Sequence, residues 1–281
     1  MNNLIENNIG VMQGRLLPKY KNRFQAFPVN SWIREFQIAK KIKLKNIEFI
    51  FDYECYRKNP LFTSYGIKKI KSVTKMTSVT VKSICADYFM ERPVFLKGIQ
   101  FKINKIVLKT LIKNAAKLGV REIIIPCVDN SSLGNKEKMN TAVSFFNSIK
   151  FYLNRYNINI ALETDLNPSK FICFISKIKS KRLTINYDIG NSASLGYDMV
   201  EEINSYGHLI SNIHIKDRNL NGGSCVLGKG DANFEKFFDL IYKIPKNYLL
   251  IMQAFRDEEG LYIFNEQLNH IKRVLNGKKY Y

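Results

Sequence analysis

Histidine is scarce in this chain, with three residues among 281. A site that holds several zinc ions needs a histidine-rich rim, so the sequence argues against a three-zinc centre. The five cysteines are widely spaced, none forms a Cys-x-x-Cys pair, and their number is odd, so a full disulfide framework is not expected. Reduced thiols are typical of cytosolic proteins, and we expect this location for the chain.

Long apolar runs and a glycine-rich nucleotide motif are also missing. No stretch of about 18 apolar residues occurs, so the sequence predicts no membrane-spanning helix and no membrane partner. The opening residues, MNNLIENN, lack the basic and apolar regions of a secretion signal. No Gly-x-Gly-x-x-Gly follows the first predicted strand, which disfavours a dinucleotide-binding fold.

Acidic residues are few compared with basic ones. The chain has 24 Asp and Glu against 44 Lys and Arg, which gives a formal net charge of +20. Such an excess is compatible with an anionic partner, such as nucleic acid or a phosphate group. The lysines are spread over the whole chain without a dense basic block, so we interpret the charge mainly as a compositional bias and expect no nucleic-acid partner.

Short β-rich runs alternate with helical segments along the whole chain. This alternation, with nearly continuous apolar strands, is typical of a parallel α/β sheet covered by helices. Eight such units without a composition break predict a single domain over 1–281 that forms a closed (β/α)8 TIM barrel. The predicted strands are 8–15, 46–52, 79–89, 122–128, 158–165, 183–191, 210–218 and 248–255. The predicted helices are 32–42, 64–76, 104–118, 136–156, one starting at 168, one between strands six and seven, 234–241 and 265–275.

Four successive predicted strands carry a polar residue near their ends, namely Glu163, Asp188, His214 and Gln253. The strands of a parallel barrel place their carboxyl ends at one rim, so these side chains should lie close together. Two carboxylates, one imidazole and one amide oxygen form an oxygen-rich donor set. It predicts a site for one divalent metal ion, Mn or Mg in the first place, with Co and Zn as alternatives.

The ordered set of motifs GVMQGR, IEFIFD, LETD, YDIGN, HIKDR and LGKGDANF resembles the xylose isomerase-like barrel superfamily, in its sugar phosphate isomerase/epimerase group. The resemblance covers nearly the whole chain. It implies that Glu163, Asp188, His214 and the strand-eight residue bind one metal ion, and that the substrate is a sugar or sugar phosphate. Related epimerases carry a second glutamate at strand eight, and the two glutamates form the acid/base pair that moves a proton beside a carbonyl.

This chain departs from that pattern because Gln253 stands at strand eight. Glutamine can bind a metal through its amide oxygen, but it cannot exchange a proton at neutral pH. We therefore expect Glu163 to act as the base, while the metal polarises the carbonyl and stabilises an enediolate. A second proton carrier must come from elsewhere, and Glu48, Asp217 and Lys216 are the candidates. For Asp217, a hydrogen bond to His214 or to a loop is the competing interpretation.

Basic side chains at the predicted rim could hold an anionic group of the substrate. Arg15 follows strand one, Arg218 ends strand seven, and Lys229 lies in the glycine-rich loop after it. Each of them also fits an ordinary surface charge. Arg15, Arg218 and Asp217 form the predicted substrate-binding set.

Two other functions stay open at this point. A non-catalytic barrel that binds a sugar in a glycan pathway would tolerate Gln253. The xylose isomerase-like superfamily, which this chain resembles, also includes an abasic-site DNA endonuclease with three zinc ions. The positive net charge of the chain would favour such a DNA-binding function. His208 and His270 fall outside the predicted strand ends, so the histidines for three zinc ions are lacking. The sequence is also compatible with a homo-oligomer.

Overall fold

Eight parallel strands close into a barrel in this computed structural model, which describes residues 8–277. Around the barrel the strands follow the order β1-β10-β7-β6-β5-β4-β3-β2. The predicted (β/α)8 barrel is therefore confirmed, and the ends of the predicted domain, 1–7 and 278–281, lie outside the described residues. The barrel strands are β1 (Ile9–Met12), β2 (Asn46–Ile50), β3 (Thr80–Cys85), β4 (Glu122–Cys127), β5 (Asn159–Thr164), β6 (Leu183–Asp188), β7 (Ile210–Ile215) and β10 (Leu249–Met252).

Helices lie between the strands in sequence, and a short antiparallel hairpin follows β7. The hairpin pairs β8 (Asp217–Arg218) with β9 (Ser224–Cys225). The α-helices of the described residues are α1 (Trp32–Lys41), α2 (Ser64–Thr77), α3 (Tyr88–Glu91), α4 (Gly98–Leu118), α5 (Lys136–Tyr156), α6 (Pro168–Ser176), α7 (Ile189–Leu195), α8 (Met199–Tyr206), α9 (Phe234–Ile241) and α10 (Leu261–Asn276).

The α9 helix shows how apolar spacing places a helix on the core. Its buried residues, Phe234, Phe237, Phe238 and Ile241, recur every three or four positions and so share one face. Burial of each such side chain stabilises the fold by roughly 1.5–3 kcal/mol. The helix predicted from this spacing is found at Phe234–Ile241.

Capping residues set several helix ends that the sequence signals correctly. The side chain of Asn167 accepts a hydrogen bond from the backbone N–H of Lys170 at 3.0 Å, and Pro168 takes the first helical position of α6. At the other end of α4, Gly119 adopts a left-handed conformation with φ of 81°. Glycine adopts this conformation without the steric cost that a Cβ atom brings, which ends the helix as predicted.

Several predicted boundaries differ from the structure because side chains near the strand ends start new elements. Asp188 accepts a hydrogen bond from the backbone N–H of Asn191 at 2.8 Å, so β6 stops at Asp188 and α7 begins where the prediction continued the strand. Gly196, with φ of 67°, ends α7, and two helices stand where one was predicted. The last strand ends at Met252, one residue before the predicted ligand Gln253.

Contacts between Cα atoms divide the described chain into two compact units, and the division falls within β2, α2, β3 and β6. The prediction of a single domain stays a prediction. Unit 1 comprises the described parts of Met1–Glu48, Thr77–Thr80 and Tyr187–Tyr281, and unit 2 comprises Phe49–Met76 and Val81–Asn186.

Within unit 1, β1 pairs with both β2 and β10, and β10 pairs with β7 so that Ile251 lies opposite His214. Within unit 2, β4 pairs with both β3 and β5. In the part of the chain that the structure describes, no helix is both long and apolar enough to cross a membrane. The five cysteines all fall in this part and form no disulfide. A cytosolic location stays a prediction.

Candidate metal centre

Three of the four predicted metal ligands form a buried group. The candidate ligand atoms of Glu163, Asp188 and His214 all lie within 4.8 Å of one another. Donor atoms that share one ion at about 2.0–2.2 Å are separated by roughly 3–4.4 Å, and the 4.8 Å limit of this group is close to that range. Among residues 8–277, this is the one such group of three or more His, Cys, Asp and Glu side chains.

Glu163, in β5 of unit 2, is oriented by a neighbouring strand. The side-chain amide of Asn186 donates to Oε2 of Glu163 at 2.7 Å, and both residues are buried. Asn186 stands two positions before Asp188 on β6, and alternate residues of a strand share a face. This hydrogen bond holds the Glu163 carboxylate in one orientation.

Cys127, at the end of β4, lies near this carboxylate but is not activated. Burial raises the pKa of the Cys127 thiol well above its ordinary value, and the negative charges of Asp165 and Glu163 raise it further. A thiol must ionise to act as a nucleophile or a metal ligand. Burial therefore disfavours ionisation of the Cys127 thiol.

Asp188, the last residue of β6, contacts two other residues of unit 1. Its Oδ1 atom accepts from the backbone N–H of Asn191, and its Oδ2 atom lies 3.5 Å from Nζ of Lys216. Lys216 also donates to Oδ1 of Asn191 at 3.2 Å. A Cβ atom on Gly190 would lie 2.9 Å from the backbone of Lys216, so only glycine lets the start of α7 approach the end of β7. This close approach accounts for the glycine of the YDIGN motif.

His214, in β7, forms a buried pair with Glu48 of β2. Nε2 of His214 lies 2.7 Å from Oε1 of Glu48, and the side-chain amide of Asn212 donates to Oε2 of the same carboxylate at 3.1 Å. All three side chains are fully buried. Both carboxylate oxygens of Glu48 are thus engaged, and Nδ1 is the ring nitrogen of His214 that does not face Glu48. Glu48 therefore fixes the orientation of the His214 ring.

Gln253 follows β10 and presents an oxygen without a protein partner. Its side chain is 7% exposed, and its Oε1 atom has no hydrogen-bond partner among the described residues. Its Nε2 atom donates to Oε1 of Gln25 at 3.0 Å. A buried polar atom without a partner is costly in a folded protein, so a bound cation would satisfy it. The donor set and this oxygen both fit a divalent ion.

Asp217 anchors the glycine-rich loop after β7. Its Oδ2 atom accepts from the backbone N–H groups of Gly228 and Gly230 at 2.8 and 3.0 Å, and its Oδ1 atom accepts from that of Ala232 at 3.1 Å. A Cβ atom on Gly230 would lie 2.3 Å from Oδ1 of Asp217, so glycine is required there. The loop-anchoring interpretation of Asp217 matches these contacts.

The two arginines of the predicted substrate set each donate to protein oxygens, both in their own loops and in other elements. Arg15 is 1% exposed and donates to the backbone oxygens of Ala254 and Phe24 at 3.0 and 3.2 Å. Arg218 donates to the backbone oxygen of Gly222 from Nε and Nη2, at 3.0 and 2.8 Å, and to Asn191 from Nη1. The contacts of Arg15, Arg218 and Asp217 with a substrate stay predictions, and Lys229 is exposed.

Three residues that support the candidate ligands were not singled out from the sequence. Asn186 and Asn212 stand two positions before Asp188 and His214, so the two-residue period of a strand already placed them on the inner face. Gln25 lies in a polar loop after β1 that has no periodic pattern. No sequence signal points to it.

The remaining histidines lie apart from this site. His208 falls in a short 3-10 helix before β7, and His214 stands near the other end of that strand. His270 lies on α10 beside the ring of Phe234, where burial lowers its pKa.

The fold and the sequence both match known proteins. The family model of the xylose isomerase-like TIM barrel matches residues 36–274. A search of curated proteins gives no match. Among solved structures, a D-tagatose 3-epimerase-like protein superposes with a TM-score of 0.74 at 16% identity, over 95% of this chain and 97% of that one.

Two further matched structures are described with a bound metal. The IOLI protein with a zinc atom superposes with a TM-score of 0.72 at 13% identity, over 96% of this chain and 98% of that one. A xylose isomerase-like TIM barrel protein from Mycobacterium smegmatis, in complex with magnesium, gives 0.71 and 13%, over 96% of each chain. Other matched structures are described as sugar epimerases. At these identities the likeness shows the fold alone.

Proposed function

The chain belongs to the xylose isomerase-like TIM barrel family, and on that premise we propose that it is a divalent-metal-dependent sugar or sugar-phosphate isomerase or epimerase. The observation that carries the proposal is the buried group of Glu163, Asp188 and His214, with ligand atoms within 4.8 Å of one another. A carboxylate-rich site at the strand ends of a barrel suits metal-assisted chemistry on a small oxygen-rich molecule.

In this proposal, Glu163, Asp188, His214 and Gln253 hold one metal ion. Three oxygen donors and one imidazole favour Mn or Mg, and Co or Zn would also be accepted. When bound, the ion polarises the substrate carbonyl and offsets the negative charge that develops on its oxygen. Asn186 and Glu48 keep two of the ligands in place, through the hydrogen bonds to Glu163 and His214.

Glu163 is the proposed base that removes the proton from the carbon beside the carbonyl. A base needs an ionisable group within reach of the substrate. The Asp188 carboxylate caps α7 with one oxygen and lies near Lys216 with the other, and Glu48 is engaged at both oxygens. Glu163 belongs to the buried ligand group and stands near the end of a barrel strand, where a substrate would bind, and this position supports it as the base.

The second proton transfer requires a group other than Gln253, whose amide cannot donate or accept a proton at neutral pH. Of the three candidates, Glu48 is engaged with His214 and Asn212, and Asp217 is engaged with three backbone N–H groups. Lys216, with its Nζ atom 3.5 Å from Asp188, is the candidate that this comparison favours. We propose that Glu48 acts by orienting His214 instead.

The experiment that tests the function is a screen for solvent deuterium uptake. Ketoses and ketose phosphates are incubated in D2O with the protein, first stripped of metal by EDTA and then loaded with Mn, Mg, Co or Zn. Uptake at a carbon beside the carbonyl that appears only with metal supports the proposal. The preference between free and phosphorylated sugars also tests whether Arg15 and Arg218 favour an anionic substrate.

Sugar-binding, zinc-content and DNA-cleavage assays run beside the screen separate the other two functions. A non-catalytic sugar-binding barrel would bind a sugar without any deuterium uptake. An abasic-site endonuclease would bind three zinc ions per chain and cleave abasic DNA. Either result would overturn the proposed function.

A further inference from the structure

A single oxygen atom in the loop after β1 receives two hydrogen bonds. Oε1 of Gln25 accepts from Nη2 of Arg15 at 2.9 Å and from Nε2 of Gln253 at 3.0 Å. All three residues belong to unit 1. The contact therefore connects a buried arginine to the strand-eight position at which this chain departs from related epimerases.

Arg15 is fixed independently of Gln25. Its Nε and Nη1 atoms donate to the backbone oxygens of Ala254 and Phe24, the sequence neighbours of Gln253 and Gln25. Its guanidinium group also lies 4.9 Å from the centre of the Phe24 ring, within the range of a cation–π interaction. Arg15 is thus a rigid, permanently charged donor at this place.

The chemistry of the donor fixes the orientation of both amides. A guanidinium group can only donate hydrogen bonds, so the Gln25 atom that faces Arg15 must be the carbonyl oxygen. The same oxygen faces Gln253, so the Gln253 atom that contacts it must be the amide NH2 group. The carbonyl oxygen of Gln253 must then point the other way, and this is the buried atom that has no protein partner in the described chain.

We propose that Arg15 and Gln25 are positioning residues, which turn the Gln253 amide so that its oxygen and not its NH2 group is presented to the metal. The inference rests on the proposed function, because it assigns to the bound metal the buried Gln253 oxygen that has no partner among the described residues. Glutamine has two chemically different ends, and the wrong end would set N–H donors against a cation. A glutamate has two equivalent oxygens and would not need such a device.

The chain of hydrogen bonds from Arg15 through Gln25 to Gln253, called the relay below, also accounts for a glutamine at the strand-eight position. A carboxylate at position 253 would place one of its oxygens against the carbonyl oxygen of Gln25. Gln25 cannot relieve this repulsion by turning its NH2 group toward the carboxylate. The turned NH2 group would then face the N–H groups of Arg15, which are also donors. The loop after β1 and the residue after β10 are thus matched to each other.

The test is a double-mutant cycle that reads Mn2+ affinity rather than activity. The Mn2+ dissociation constant is measured by electron paramagnetic resonance of free Mn2+ for the wild type, Gln25→Leu, Gln253→Leu and the double variant. Gln25 is only half-buried, and the melting temperature of each metal-free variant reports whether it folds. We expect Gln253→Leu and Gln25→Leu each to weaken Mn2+ binding by about 10-fold or more. The double variant should bind Mn2+ as Gln253→Leu does, because Gln25 acts only through Gln253.

Gln25→Glu provides the rescue control, because its carboxylate accepts from both Arg15 and Gln253. In a chain that keeps Gln253, the Gln25→Glu variant should bind Mn2+ more tightly than the Gln25→Leu variant. A gain of the same size in the Gln253→Leu background would mean that the added charge alone is responsible, and would overturn the relay. Additive losses in the cycle, or wild-type affinity in Gln25→Leu, would overturn it as well. A wild-type chain that binds no Mn2+ would defeat the proposed metal site and the relay together, whereas wild-type binding with an unaffected Gln25→Leu defeats the relay alone.

Discussion

Nε2 of His214 lies 2.7 Å from Oε1 of Glu48, and both side chains are fully buried. A carboxylate accepts hydrogen bonds, so the imidazole donates from Nε2, and Nδ1 is the nitrogen that does not face Glu48. The other oxygen of Glu48 is occupied by the amide of Asn212. This arrangement makes Glu48 the residue that sets the ring orientation and the tautomer of the predicted histidine ligand.

The first prediction concerns Glu48→Gln. An amide has one acceptor atom and cannot accept from both His214 and Asn212 as the carboxylate does. We expect metal affinity to fall by about 10–100-fold, the usual effect of losing a partner that orients a ligand. Isothermal titration calorimetry with Mn2+ measures it. The matched control is Glu202→Gln, a buried glutamate that binds Tyr187 and Tyr206 and should keep wild-type affinity. Equal affinities in the two variants would show that Glu48 does not support the site.

The second prediction concerns Asp188→Asn. Asparagine is as good a helix cap as aspartate, so α7 should keep its start at the Asn191 backbone N–H. The loss of a charged ligand should still lower metal affinity by at least about 10-fold, since even outer partners of a ligand have effects of that size. Asp198→Asn is the control, because Asp198 caps α8 in the same way through the backbone N–H of Glu201.

The comparison of these two cap variants separates the effect of losing a metal ligand from the effect of changing a helix cap. Thermal unfolding of the metal-free proteins should give similar melting temperatures for Asp188→Asn and Asp198→Asn. Only Asp188→Asn should lose the extra stability that metal gives to the folded state. If both variants keep wild-type metal stoichiometry and affinity, the site lies elsewhere.

The third prediction concerns the pH dependence of stability. Glu35 on α1 is fully buried, and burial raises its pKa from 4.5 to about 7 despite hydrogen bonds from the backbone N–H groups of Gly14 and Leu16. Between these two pH values the folded state keeps a proton that the unfolded state releases. The stability linked to this group is therefore fully present below about pH 4.5 and is lost as the pH rises through about 7.

The size of this effect follows from the shift of the Glu35 pKa. At about 1.4 kcal/mol for each pKa unit, the free energy of unfolding should fall by roughly 3 kcal/mol from pH 5 to pH 8 in the wild type relative to Glu35→Gln. Urea unfolding at pH 5, 6, 7 and 8 measures it. Groups that titrate elsewhere affect both proteins and cancel in the difference. Parallel pH profiles for the two proteins would contradict the assignment.

Most of the fold follows from the sequence because its signals are local. The spacing of phenylalanines in α9, the Asn167-Pro168 start of α6 and the glycine after α4 each act over a few residues, and each is found in the structure. The errors occur where a side chain competes with the strand. Asp188 ends β6 by capping α7, and this cap overrides the apolar run that continues to Ile189.

In the candidate site, too, some residues follow from local sequence signals and others do not. Strand ends bring Glu163, Asp188 and His214 into one group, as the alternation of strands and helices predicts. The role of Glu48 depends on which side chain faces its carboxylate across the barrel, and that of Gln25 depends on the course of an irregular loop. Such contacts join residues far apart in sequence, so no periodic pattern records them.

The measurement that tests the central claim most directly is solvent deuterium exchange by Glu163→Gln at saturating metal. The substituted amide can still accept the hydrogen bond from Asn186, so the fold should persist. With the sugar that the wild type exchanges, and with bound metal verified in each sample, we expect metal-dependent deuterium uptake in the wild type and none in Glu163→Gln. Exchange at the wild-type rate in Glu163→Gln, or exchange in the wild type that survives complete removal of metal, would contradict the account.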